Sequence, residues 1–330
     1  MKIMLSIGGI LLLIFDGRTA SSAVQEAVTL CLYTVLPSLF PFLVISYVLN
    51  SLLLGRKFSV LTPLCRLCGI PSGGESLLLL GLIGGYPVGA QAIAEARRND
   101  SISLPMYKRL LGFCNNAGPS FIFGLVATHF TSKTIPWVIW IIHMLSAIVV
   151  GIILPQVGDD SCQIRSNASI TLPQALASAI KVMAKICGWV ILFRVLITYL
   201  NGVLNILPTE GNVLLSGFLE LTNGCVNLSS ITSEAHRFII AVSMLSFGGL
   251  CVLMQTKSVC EGLGTGMYFP GKALQTIISL MLSVIAVPIL FSQALSMADT
   301  VLITSAIAIF MIVIYSVKKW WQFRQKSYII

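Results

Sequence analysis

The sequence predicts an all-α polytopic membrane protein of two inverted-topology repeats, each with a re-entrant helical hairpin and a broken transmembrane helix, with about eight crossings in all. Three observations lead there. Only 10% of the 330 residues are charged and 56% are hydrophobic, with mean hydropathy +0.92, whereas a soluble domain carries about a quarter charged residues. Apolar runs of spanning length recur along the chain. Between them lie apolar segments interrupted near their middles, such as LGLIGGYPVGAQAIAEARR over Leu80–Arg98 and LLGFCNNAGPSFIFG over Leu110–Gly124.

In chain order, residues 1–19 form an N-terminal span. Its apolar run, Met1–Phe15, precedes the small residues Ala20–Ala23, as a signal peptide would. Asp16 and Arg18 separate the two, which favours an uncleaved span. Residues 20–155 form repeat 1. It runs from an amphipathic lead-in helix (Ala20–Val35) to a span (Leu36–Leu54), then a hairpin over Gly74–Arg98 broken at GGYP. A segment over Leu104–Phe130 broken at NNAGP and a span at Ile135–Leu154 complete it. Residues 156–171 are a cytoplasmic loop. Residues 172–292 repeat the order with a lead-in (Leu172–Lys181), a span (Val182–Leu200) and a stretch over Leu214–Ile231 broken at TNG. A stretch over Phe238–Cys260 broken at FGG and a span at Ala273–Phe291 follow. Residues 293–330 add a last span, Val301–Val317, and a basic tail. The two halves share few letters, so the repeat is one of architecture.

Charge sets the orientation. If Gly74–Arg98 enters and returns to one face while Leu104–Phe130 crosses, each unit crosses an odd number of times and the second is inverted. All but Arg18, Lys133, Arg194 and Arg237 of the 21 basic residues then fall on the cytoplasmic side, as short basic loops do. Arg109 and Lys272 are among those placed in loops, and both termini are cytoplasmic. Basic residues clustered in short loops set topology rather than mark a nucleic-acid footprint, despite the net charge of +9.

Broken helices at membrane depth have a physical meaning. A backbone group freed in hydrocarbon costs several kcal/mol unless something polar receives it, so irregular backbone survives only inside protein or along a wet cavity. Breaks at matching places in two halves mark a transport site. Pro87 and Pro119 suit the first turn of a helix, which would present half-helix N-termini to a solute. Gly84, Gly85 and Gly118 permit close backbone approach. Asn115, Asn116, Thr222 and Asn223 add uncharged hydrogen-bonding groups. Simple kinks are the competing reading for any one break, but four breaks favour a site.

Arg194 reads equally as a snorkelling cation or as a cavity residue paired with an anion or with Glu220. Glu220, before TNG, is the candidate for coupling Na⁺ or H⁺. His143 reads as a packed, hydrogen-bonded histidine, and Trp137, Trp140, Trp320 and Trp321 as interfacial anchors. Cys65 and Cys68 form a CxxC with no second pair, so no metal site and no cofactor is expected. The chain carries no HExxH, no GxSxG and no P-loop, and Asp159, Asp160 and Asp299 fall in loops, so neither an enzyme nor an ATP-driven pump is expected.

GLIGGYPVGA (Gly81–Ala90), LLGFCNNAGPSFIFG and GFLELTNG (Gly217–Gly224) together resemble the YlbJ-type sporulation integral membrane proteins. Those belong to the nucleoside-recognition, or Gate, domain group, distantly similar to concentrative nucleoside transporters. The resemblance implies a role in spore formation, with dipicolinate moving from the mother cell across the outer forespore membrane. Carried over by motif, Gly84, Gly85, Tyr86, Pro87, Asn115, Asn116, Gly118 and Pro119 form one side of the site, and Glu220, Thr222, Asn223 and Gly224 the other. The function expected is therefore a secondary transporter or facilitator of a small polar, anionic solute in a bacterial cell membrane, with Arg194 a further contact. A sporulation scaffold that does not transport and a carrier of nucleoside-like solutes are the alternatives. Its partners would be that solute, the lipid bilayer and a coupling ion, with homo-oligomerisation left open.

Overall fold

The computed structural model describes residues 10, 13–53, 56, 58–157 and 170–291. The expected last span and its tail, with Trp320 and Trp321, lie outside them. So do most of Met1–Phe15 and most of the loop between the halves.

Among the described residues the chain is all helix and turn. The first lead-in and span are one continuous rod: α1 (Gly17–Leu30) passes through a π-helical turn, Cys31–Val35, into α2 (Leu36–Leu53). A short α3 (Thr62–Leu67) leads to α4 (Glu75–Ile83) and α5 (Val88–Arg98), the arms of the first hairpin. Next come α6 (Leu104–Leu110), α7 (Pro119–Gly124) with a 3-10 turn after it, and α8 (Thr134–Ile153). The second half opens with α9 (Leu172–Leu204), a 33-residue helix that holds both the lead-in and the expected span Val182–Leu200. It continues with α10 (Thr209–Leu219), α11 (Leu221–Val226), α12 (Glu234–Phe247), α13 (Gly249–Val259) and α14 (Tyr268–Phe291). The order of long helix, broken pair, broken pair and long helix thus occurs twice. Among the described residues, four stretches are long and apolar enough to cross a membrane: Gly17–Leu53, Thr134–Ile153, Glu234–Val259 and Tyr268–Phe291.

Local chemistry sets the ends. Thr171 and Gln174 form a capping box on α9, and the hydroxyls of Ser103 and Ser233 accept amide protons at the starts of α6 and α12, satisfying donors that a helix cannot pair itself. Between α12 and α13, Gly248 and Gly249 have φ of +79° and +78°, a turn that other residues adopt only under strain. TNG is not itself a break. The interruption falls two residues earlier, at Glu220 in extended conformation, and Thr222, Asn223 and Gly224 lie in the first turn of α11. A carboxylate in the capping position starts a helix there.

Packing joins like with like. α9 lies along α1 and α2, and α14 along α8 and α12. The buried face of α1 is Ala20, Ala23 and Ala27, and that of α9 includes Ala175 and Ala179; such small-residue stripes bring helices close where lipid offers no hydrophobic drive. Beyond them Cys31, Val35, Leu43 and Tyr47 pack with Val182, Met183, Ile186 and Val190.

Arg109 is 1% exposed rather than in a loop. Its guanidinium donates to the carbonyls of Pro155 (2.8 Å) and Gly151 (2.6 Å) and lies 5.4 Å from the Phe113 ring centroid. It therefore serves the unpaired carbonyl end of α8, where a cation also meets the negative end of the helix dipole. Arg109→Met removes these donors in a buried setting. Thermal unfolding of the detergent-solubilised protein should show a loss of about 2–4 kcal/mol; an unchanged midpoint would contradict this role.

Candidate functional site

Residues from three of the four interruptions, and from the helix that follows the fourth, line one cavity of about 40 Å³. The first hairpin contributes Gly84, Gly85 and Tyr86, and the break before α7 contributes Gly118, Ser120 and Phe121. The second hairpin adds Glu220, Leu221 and Thr222, and α13 adds Val252 and Gln255. Leu39, Phe42 and Leu43 of α2 and Ile186 of α9 complete the wall. Two of its lining glycines meet each other. Gly85 has φ +74°, and a Cβ on Gly118 would stand 3.0 Å from its Cα, so the two breaks touch backbone to backbone. The Ser120 hydroxyl has no hydrogen-bond partner.

Six of the sequence-derived site residues line this cavity: Gly84, Gly85, Tyr86, Gly118, Glu220 and Thr222. Pro87 and Pro119 stand one step behind it, at the starts of α5 and α7. Asn115 and Asn116 are fully buried and already committed. Asn115 Oδ1 accepts from the Ala90 amide at 3.1 Å, and its Nδ2 donates to Thr256 Oγ1 at 3.1 Å. Asn115 thus caps α5 and ties it to α13. Asn116 Nδ2 donates to the carbonyls of Gly81 (2.9 Å) and Phe113 (2.7 Å). Gly224 packs against Gly217 inside the second hairpin, where a Cβ would lie 2.3 Å from the Gly217 Cα.

Half-helix N-termini open to a solute are therefore not what these breaks provide at α5 and α11. Glu220 Oε1 accepts from the Thr222 amide at 3.1 Å and Oε2 from the Asn223 amide at 2.6 Å, so α11 is capped by its own chain. The physical reason is the one that made the breaks informative: in a dry interior the freed amides take the nearest acceptor. Arg194 pairs with Glu26 of α1, not with Glu220, and donates to Asn223 Oδ1. It joins α1, α9 and α11 beside the cavity.

Sequence reading missed a second polar cluster. Lys272, expected in a loop, is 1% exposed on α14. Its Nζ donates to Asn116 Oδ1 at 2.8 Å and to Gln275 Oε1 at 2.7 Å, and lies 5.3 Å from the Tyr86 and 5.9 Å from the Tyr268 ring centroids. Gln275 Nε2 donates to the His143 carbonyl at 3.1 Å. His143 is packed and hydrogen-bonded, as expected. The Ala117 amide donates to its Nε2 at 3.1 Å, which leaves the proton on Nδ1, facing Ser246 Oγ at 3.3 Å. The only sequence signal for this cluster was a basic residue immediately before an apolar run.

Since Asn115 serves the fold, Asn115→Ala strands the Ala90 amide and the Thr256 hydroxyl. Unfolding measured without any solute present should show a loss of about 2–4 kcal/mol; wild-type stability would return Asn115 to a purely ligand-facing role.

No model of a known family matches the chain, and no solved structure does. It is similar to the sporulation integral membrane protein YlbJ of Bacillus subtilis (strain 168), at 28% identity over 271 residues, 68% of this chain and 66% of the relative. The chain thus spans just under two thirds of that relative's length. Together with the apolar helices, this likeness identifies an all-helical membrane protein.

Proposed function

We propose that the chain is a secondary transporter or facilitator of a small polar, anionic solute. The observation that carries this reading is the convergence of four interrupted segments, two from each half, on one cavity that also holds a carboxylate and an unpartnered hydroxyl. Interrupted helices meeting between two similarly ordered units are the usual construction of a carrier site. In this reading the units are oppositely oriented, each crosses with the topology that gathers basic loops in the cytoplasm, and the whole makes about eight crossings.

Its place would be the cell membrane of a spore-forming bacterium, a setting that the relative's name supplies. An aromatic dicarboxylate such as dipicolinate suits the cavity walls. Tyr86 and Phe42 offer ring faces, while Ser120, Thr222 and Gln255 offer hydrogen bonds. The cavity as it stands holds only a few waters, so passage of such a solute requires the broken segments to part, as alternating access does. Glu220 is the candidate site of a coupling Na⁺ or H⁺, because its carboxylate lines the cavity between the two halves.

Purified protein in liposomes should carry labelled dipicolinate with saturable kinetics, and faster than a labelled nucleoside. Ser120→Phe, which fills the cavity, should lower that flux by more than about tenfold, the equivalent of removing roughly 1.4 kcal/mol of productive binding. An imposed Na⁺ or pH gradient should drive wild-type protein but not Glu220→Gln. Absence of both saturable flux and saturable binding in the wild type would sink the carrier reading and leave a membrane scaffold.

A further inference from the structure

Three ionisable side chains lie near the cavity, and two of them are engaged by close partners of their own: Arg194 by a carboxylate and Glu220 by backbone amides. Arg194 is paired with Glu26. Both oxygens of Glu220 accept backbone amide protons at the start of α11. Lys272 differs: among the described residues it makes no ion pair, although it is 1% exposed.

Its surroundings are those of a held cation. Asn116 Nδ2 is occupied by two carbonyls and Gln275 Nε2 by a third, which fixes both amide oxygens toward the Lys272 Nζ. Two tyrosine rings lie within cation–π range. The groups in direct contact with the ammonium are acceptors and π faces, and none of them is a carboxylate. A fixed cation in a low-dielectric interior exerts its field over several ångströms. Tyr86 is the link: its ring lies 5.3 Å from the ammonium and also lines the cavity.

We propose that Lys272 is the specificity-determining residue of the cavity, supplying the positive potential that admits carboxylate-bearing solutes and disfavours neutral ones of the same shape. This rests on the carrier reading above and adds to it the residue that sets the sign of the solute. Lys272 acts from beside the cavity wall, through its charge.

Full-length protein in liposomes is assayed with two labelled probes of one shape, pyridine-2,6-dicarboxylate and its neutral dicarboxamide. Wild type should favour the dicarboxylate by about tenfold or more, of the order that one charge at this range supplies. Lys272→Gln should lose most of that preference by slowing the dicarboxylate alone, and Lys272→Arg should retain it. Equal loss of both fluxes in Lys272→Gln would mean that Lys272 only braces Asn116, and overturns the proposal. Unchanged preference in Lys272→Gln overturns it too. If that variant does not fold, the wild-type ratio decides: comparable fluxes of the two probes count against Lys272. Wild type that carries neither probe removes the carrier reading itself.

Discussion

Asn115 accepts the Ala90 amide proton at the start of α5 and donates to Thr256 on α13, and much of the centre of the molecule depends on that pair of bonds. A helix interrupted in an apolar interior releases amides and carbonyls that water cannot reach. The chain answers with its own polar side chains at each place. Asn115 serves the first hairpin, Glu220 the second, and Arg109 the carbonyl end of α8. Where no side chain serves, glycine permits the turn, as at Gly248 and Gly249.

This division of labour shapes the cavity. Asn115 and Asn116, bound to backbone, are withdrawn from it, so its walls are left to glycine, aliphatic, aromatic and hydroxyl groups with Glu220 and Gln255. Gly85 against Gly118 brings two breaks into backbone contact, which no larger residue would allow. The polar groups that remain are few and come from different elements.

Charge follows the same economy. Arg194 with Glu26, a partly exposed pair, ties α9 to α1, whereas a fully buried ion is tolerated when paired or well hydrogen-bonded. Among the described residues, Lys272 is held by amide oxygens and tyrosine rings.

Composition and spacing were enough to establish membrane helices, the twofold order of elements and the positions of three of the four interruptions. Those features follow from local chemistry: apolar runs of bilayer length, and Gly, Pro and Asn where a helix cannot continue. The fourth was misjudged by two residues, because Glu220 ends one helix by capping the next, and a carboxylate inside an apolar run does not announce that geometry. Which polar residues face the cavity was equally out of reach. Asn115 and Thr222 look alike in a sequence, yet one is consumed by a backbone amide 25 positions away and the other lines the cavity. Lys272 resembled a loop residue because it stands at the edge of an apolar run. Only tertiary packing decides such cases, since a polar side chain in a dry interior goes to whichever partner the fold brings within hydrogen-bond reach.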